Sequence, residues 1–138
     1  MNRIAVSIVA GLLLAAVASA KKYPLTADKS VPAAQGQVDV GRDKNGNTKV
    51  ELEVEHLAAP ENLTPPRSAY VVWFQERGGE ASNQGSLKPG KNLKGSFKSV
   101  TQMKSFDVII TAESDAGVKT PSGSEVMRAV VQPCFFEV

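Results

Sequence analysis

Two side chains suited to catalysis or metal binding occur once each in the 138-residue chain: His56 is its only histidine and Cys134 its only cysteine. A Ser-His-Asp triad needs a histidine base, and a zinc site needs three or four His, Cys or carboxylate ligands. We therefore predict no catalytic residue, no metal and no cofactor, and a protein that is not an enzyme. Without a second cysteine, Cys134 is predicted to be a buried apolar residue or, alternatively, to form an intermolecular disulfide.

The segment Asp43-x-Asn45-x-Asn47 resembles the first half of a calcium-binding loop. Such a loop needs a glycine at its sixth position, which is Thr48 here, and a glutamate at its twelfth, which is Val54. Both requirements fail. The segment is therefore interpreted as a hairpin turn, because Asn-Gly pairs are a strong signal for one.

A cationic stretch is the first candidate binding feature. No acidic residue falls between Glu80 and Asp107, whereas five lysines do: Lys88, Lys91, Lys94, Lys98 and Lys104. These lysines could form a surface for an anionic polymer or lipid head groups. The alternative is that they protect two edge strands from pairing with other chains.

The second candidate is the stretch SAYVVWFQ, residues 68–75, which holds the only tryptophan. As a strand it places Tyr70, Val72 and Phe74 on one face and Val71 and Trp73 on the other. Only one face can meet an opposite sheet, so the other is either covered or a binding surface. The proline loop 58–66 and the tail 134–138 are available covers. Tyr70, Trp73, Lys88, Lys91 and Lys94 are the candidate partner-binding residues.

Alternating apolar and polar residues predict the strands that position these side chains. The clearest run is residues 49–55, and a further strand opens at Gly36 before the Asn-Gly turn. A three-residue loop, Asn45–Asn47, would pair Val40 with Leu52 and keep the apolar faces together. Pro89-Gly90 suits the centre of a type II turn. Later strands are predicted at residues 86–87, 95–100, 106–113 and 125–131.

About seven short antiparallel strands with frequent turns predict an all-β fold, an Ig-like Greek-key β-sandwich. Residues 1–20 read as a signal peptide: Arg3 precedes an apolar run that ends in Ala18-Ser19-Ala20. Residues 21–35 are predicted to be an extended segment with at most one edge strand, and residues 36–138 the sandwich domain. No membrane-spanning segment is expected after cleavage. Cleavage would lower the formal net charge from +2 to +1, which argues against nucleic acid as an obligate partner.

Two stretches, LTPPRSAYVVWFQERGGEASNQGSL and SFDVIITAESDAGVKTPSGSEVMRAVV, resemble the extracytoplasmic β-sandwich domain of anti-sigma-K factors and related small exported bacterial proteins. The resemblance covers residues 64–131 and consists of core strands and turns. Those factors carry a cytosolic sigma-binding domain and a membrane helix ahead of the module, and this chain shows neither. The resemblance therefore implies a sensing or interaction module without a transducer, and it carries over no catalytic residue.

These observations together predict an exported, periplasmic or secreted, non-catalytic binding module of the cell envelope. Its partner would be another envelope protein or an extracellular polymer. A structural or adhesion protein that associates through sheet edges is one alternative, and a carbohydrate-binding module that stacks sugars on Trp73 is another.

Overall fold

The structure, a computed structural model, describes residues 21–132. Its only helical turn in that range is the short 3₁₀ segment Pro60–Asn62, and no helix there is long and apolar enough to cross a membrane. The predicted all-β class is confirmed. The strands are β1 Lys21–Ala27, β2 Gln35–Arg42, β3 Thr48–Glu55, β4 Ala69–Gln75, β5 Ser82–Leu87, β6 Gly95–Thr101, β7 Phe106–Glu113 and β8 Ser124–Val131.

The eight strands form one hydrogen-bonded antiparallel sheet in the order β5-β4-β7-β8-β1-β2-β3-β6, rather than two separate sheets of about seven strands. Its two edge strands approach each other, because the Ser99 hydroxyl on β6 donates to Gln84 Oε1 on β5 at 3.1 Å. The Phe97 ring also packs over Gly85, where an added Cβ would lie 3.1 Å from the ring. The sheet is therefore rolled into a nearly closed barrel around one main core.

The strand β1 is not an edge strand, contrary to the sequence prediction, because it lies between β8 and β2. Residues 21–25 pair with β2 and residues 26–27 pair with β8. The β8 ladder begins with the Asp28 amide donating to the Val126 carbonyl at 2.8 Å. Two hydrogen-bonded pairs further along, the same register would bring Pro24 opposite Val130, and proline has no amide to donate. The ladder to β8 stops before that point, and the chain pairs only with β2.

The β2–β3 hairpin has a three-residue loop, as predicted, but the loop is Lys44–Gly46 instead of Asn45–Asn47. The Asp43 amide donates to the Asn47 carbonyl at 2.9 Å, and the Gly46 amide donates to the Asp43 carbonyl at 3.1 Å. Gly46 has a φ of 81°, which favours glycine at this position. The predicted pairing of Val40 with Leu52 is therefore wrong, and Val40 pairs with Val50. The error spans two residues, so each side chain stays on its predicted face.

The strand β4 is buried on both faces, as its sequence suggests. Its inward side chains join the main core, where the rings of Phe74 and Phe106 lie 4.9 Å apart. Its outward side chains, Val71 and Trp73, form a second and smaller apolar cluster with Ile109 of β7. The predicted division of β4 into two faces is confirmed, and the outward face is the one that needs a cover.

Candidate functional site

Tyr70, the first candidate binding residue, lies in the main core with no exposed surface. Its hydroxyl donates to the Ala58 carbonyl at 2.6 Å, so the proline loop closes this end of the core. Burial, with a smaller contribution from the nearby Glu61 carboxylate, raises the pKa of Tyr70 to about 12. The ring offers no surface to a partner in this conformation.

Trp73, the second candidate, is also completely buried, although it points away from the main core. Among the described residues its cover is not the proline loop, and the tail 134–138 lies outside those residues. Residues 114–123, here called the strap, connect β7 to β8 and place Val118 against the outer cluster. Ala81 packs on the same cluster from the β5 side. A sugar could stack on Trp73 only if the strap moved away.

A chain of hydrogen bonds runs from the Trp73 ring to the end of the strap. The indole Nε1 donates to Thr111 Oγ1 at 2.8 Å, and this hydroxyl donates to Glu113 Oε2 at 2.6 Å. The other carboxylate oxygen, Oε1, accepts from the Ser122 hydroxyl at 2.7 Å. Every side chain in this hydrogen-bond network thus has a partner, as a buried polar network requires.

Glu113 is the one acidic side chain of the described residues that is fully buried. Burial acts to raise the pKa of its carboxyl, but hydrogen bonds from Thr111, Ser122 and the backbone amides of Gly123 and Ser122 together lower it. A carboxylate that accepts several hydrogen bonds is stable in the charged form even without a cation beside it. Gly123 makes this close approach possible, since a Cβ there would overlap the Ala112 carbonyl oxygen.

The three candidate lysines lie together on the loop between β5 and β6, and all are exposed. The loop closes like the Asp43–Asn47 turn: the Gly90 amide donates to the Lys94 carbonyl, and the Leu93 amide to the Gly90 carbonyl, each at 2.9 Å. The predicted type II turn at Pro89-Gly90 is wrong, because the left-handed residue is Leu93, with a φ of 61°. The Leu57 amide donates to the Leu93 carbonyl at 3.1 Å and fixes the loop against the end of β3.

A cleft of about 530 Å³ separates this loop from the outer face of β3. Lys88 and Lys94 lie on one wall, and Glu53 and Glu55 lie on the other. Lys94 Nζ is 3.7 Å from Glu55 Oε1, a weak and exposed ion pair. Lys88 and Lys91 form no ion pair with any residue of 21–132. The structure therefore brings Lys88, Lys91 and Lys94 together on one exposed loop, whereas Tyr70 and Trp73 are buried.

The loop with Lys88, Lys91 and Lys94, together with β6, is here called the cationic edge. It also carries two exposed apolar side chains. Leu93 is 39% exposed at the tip of the loop, and Val100 is 53% exposed on the outer side of β6. Lys98 lies between them along β6, opposite Glu51 of β3. The edge therefore combines uncompensated positive charge with separate apolar side chains.

His56 is exposed, has a φ of 57° and directly follows β3. Within residues 21–132, no group of three His, Cys, Asp or Glu side chains is arranged to hold a metal ion. Asp43 is engaged by its own turn: it accepts from the amides of Asn45 and Asn47, each at 2.9 Å. The Asn47 amide is the main cause of a lowered pKa for the Asp43 carboxyl.

Sequence reasoning missed the Glu113–Ser122 contact and the acidic wall of the cleft. One signal for the first was present: Ile109 interrupts the polar face of β7, which implies a cover over that face. Gly123 after Pro121-Ser122 was a second signal, because a glycine often marks a close approach of two backbones. Glu53 and Glu55 gave no comparable signal, since alternating glutamates are ordinary on a solvated strand face. No protein-family model matches the chain, and no curated protein matches it significantly.

Proposed function

We propose that this protein is an exported, non-catalytic binding module of the cell envelope that meets an acidic partner through its cationic β5–β6 edge. The partner is another envelope protein or an extracellular polymer. The observation that carries the proposal is the position of Lys88 and Lys91, which are exposed and without an ion pair in the described part of the chain. A charge left uncompensated on a rigid loop attracts an oppositely charged partner at no cost of breaking an internal pair.

The fold supports this use of the edge. The Leu57–Leu93 backbone hydrogen bond and the two bonds that close the loop between Gly90 and Lys94 hold its conformation. A rigid loop loses less conformational entropy on binding than a mobile one. Leu93 and Val100 can add apolar contacts beside the lysines. Arranged in this way, the edge suits a partner that presents acidic groups next to an apolar surface.

Export and the Ig-like sandwich belong to the same proposal. Export rests on residues 1–20, which lie outside the described residues, and on the resemblance to the anti-sigma-K sensor domain. The sandwich is supported by the Greek-key neighbourhood of β7, β4 and β5, with β6 next across the gap. The β2–β3 hairpin differs from the Ig strand order. In an Ig domain the second strand lies between the first and the fifth, whereas here β2 lies between β1 and β3.

Self-association through the sheet edges is the second candidate function. The strands β5 and β6 end the hydrogen-bonded order, and the exposed Val100 lies on β6. Lysines along the same edge oppose this candidate, because two copies would bring like charges together. Size-exclusion chromatography and sedimentation at high protein concentration measure it directly. A monomer at all concentrations eliminates self-association.

The binding proposal is tested by capture from envelope extracts with immobilised protein over a series of salt concentrations. We expect the double variant Lys88→Glu/Lys91→Glu to lose a partner that the wild type retains at low salt. The matched control is Lys29→Glu/Lys119→Glu, which changes the net charge equally at two exposed lysines away from β5 and β6. Equal loss in both variants would indicate a net-charge effect, and equal retention would contradict a role for the edge. Trp73→Ala is unsuitable as a probe, because truncating a buried tryptophan costs about 3–5 kcal/mol.

A further inference from the structure

The strap, residues 114–123, differs from the sheet beneath it. All its residues from Ser114 to Ser122 are exposed except Val118, which is half-buried. None of them belongs to a strand. Among the described residues, the outer cluster that it covers contains three buried side chains, Val71, Trp73 and Ile109. A segment with one apolar contact over a small cluster gains little free energy from burial compared with the strands of the main core.

Polar contacts tie the strap down at two points. In its middle, Asn83 Nδ2 on β5 donates to the carbonyls of Ala116 at 3.0 Å and Val118 at 2.7 Å. At its end, the Ser122 hydroxyl and amide donate to Glu113, at 2.7 Å and 3.2 Å. At its start, the contact of Arg67 with Ser114 is long, 3.4 Å.

The local geometry of the sheet positions Asn83 and Glu113 for these two contacts with the strap. A bulge in β5 leaves Gln84 unpaired and sets Asn83 opposite Trp73 on the outer face. Gly85 has a φ of 135° at this bulge, and its amide donates to Asn83 Oδ1 at 2.8 Å, which orients the amide group toward the strap. Glu113 ends β7 and Ser122 precedes β8, so their contact closes the base of the strap.

We propose that the strap is a lid that opens as a unit while the sheet stays folded, and that Asn83 and Ser122 are its two latches. Opening uncovers an apolar face made of Val71, Trp73 and Ile109. In the described structure, opening breaks the Asn83 bonds, the Ser122 and Gly123 bonds to Glu113, the long Arg67–Ser114 contact and the Val118 contact, and no strand pairing of β4 or β7 is lost. The freed carbonyls of Ala116 and Val118 and the carboxylate of Glu113 gain water as a partner, which limits the cost.

Trp73 reports directly on the lid, because it is the only tryptophan in the chain. The test measures acrylamide quenching of its fluorescence and native-state hydrogen exchange, both well below the unfolding temperature. We expect the Asn83→Ala/Ser122→Ala variant to raise the quenching constant at least threefold. The strap amides of Ser122 and Gly123, which donate to Glu113, should exchange faster, while the amides of Ile109 and Ile110 in β7 keep the protection seen in the wild type.

Ser124→Ala is the matched control, since Ser124 is exposed at the start of β8 and makes no side-chain hydrogen bond in the described residues. We expect it to leave the quenching constant unchanged. Exchange of the wild type in increasing urea provides a test that no variant can spoil by misfolding. Strap amides whose exchange is independent of low urea support local opening. Strap amides with the same urea dependence and free energy as β7 would overturn the proposal, because the strap would then open only by global unfolding.

Discussion

Glu113 shows how one buried carboxylate can be kept charged without a positive neighbour. Its hydrogen-bond donors are two hydroxyl groups and two backbone amides. All of them favour the ionised form, and the resulting pKa of the Glu113 carboxyl lies below its ordinary value of 4.5. A group whose pKa is depressed on folding stabilises the protein above its unfolded pKa and loses that effect as the pH falls through the folded value.

We therefore expect acid to weaken the wild type partly through Glu113. The free energy of unfolding should fall more steeply below about pH 4.5 in the wild type than in Glu113→Gln. At neutral pH, the variant should be the less stable protein. The side-chain NH₂ of the glutamine is a hydrogen-bond donor, and it would lie beside hydroxyl and amide groups that also donate. Urea unfolding at several pH values measures both effects, with the exposed Glu76→Gln as the control. Equal acid slopes in the wild type and Glu113→Gln would contradict the expectation.

For Tyr70 we expect the opposite pH dependence, because its contribution to stability is lost at alkaline pH. Burial first, and the Glu61 charge second, raise the pKa of its hydroxyl to about 12 from an ordinary value of 10.0. The neutral phenol is thus favoured by folding, so its contribution is complete below pH 10 and is lost as the pH rises toward 12. Ionisation would also remove the hydrogen that Tyr70 donates to the Ala58 carbonyl.

The Tyr70→Phe variant isolates the contribution of this hydroxyl from every other change at alkaline pH. At pH 7, we expect the variant to be less stable by about 1 kcal/mol, the typical value of one hydrogen bond. Between pH 9 and 11 the difference should shrink, because the Tyr70 phenol ionises in the unfolded wild type while the buried phenol, with a pKa of about 12, stays neutral. A difference that stays constant over this range, measured by urea unfolding, would show that the Tyr70 hydroxyl does not titrate as described.

At the scale of single elements, the β5–β6 loop contains an unusual residue. Leu93 occupies the left-handed conformation that Gly46 adopts in the equivalent position of the β2–β3 turn. A side chain with a Cβ costs about 1–2 kcal/mol in this conformation, and asparagine tolerates it better than most. We expect Leu93→Asn to raise the free energy of unfolding by about 0.5–1 kcal/mol relative to Leu93→Ala. Chemical denaturation of both variants checks this, and equal stabilities would show that Leu93 carries no backbone strain.

The same two loops show how far the sequence predicts the elements. Alternation identifies the faces of β2 and β3 correctly, because a shift of two residues preserves them. It cannot choose between Lys44–Gly46 and Asn45–Asn47, since both loops contain Gly46. The choice depends on which residue takes the left-handed conformation and on Asp43 accepting two amides. In the β5–β6 loop, Pro89-Gly90 predicts a turn type that the hydrogen bond to β3 overrides.

The residues of the candidate site also differ in how well the sequence predicts their surroundings. The sequence groups Lys88, Lys91 and Lys94 correctly, because residues three apart on a short loop stay close whatever its conformation. It correctly offers the proline loop as a cover, which closes over Tyr70, but it does not identify the strap as the cover of Trp73. Between Trp73 and Val118 the chain passes through three strands, β5, β6 and β7, and no local pattern records that contact. Long-range packing of this kind is what single-sequence reasoning lacks.

At the scale of the whole molecule, the first strand closes the sheet. The strand β1 pairs with β2 along residues 21–25 and with β8 along residues 26–27, so in the described structure it provides the hydrogen-bonded connection between those two strands. Leu25, Val31 and Ala34 are also buried in the main core. Residues 21–35 thus supply both a ladder and part of the core, which an optional N-terminal extension would not do.

We therefore expect a chain that starts at residue 36 to lose cooperative folding, whereas a chain that starts at residue 21 keeps it. Without β1, the inner edges of β2 and β8 lose their hydrogen-bond partners, and the core beneath Leu25 opens to water. Near-UV circular dichroism and thermal unfolding of the two chains measure the loss. A peptide of residues 21–35 added to the shorter chain should restore the near-UV signal by supplying the missing strand. A sharp thermal transition in the shorter chain alone would show that β2–β8 form a complete domain and that β1 is dispensable.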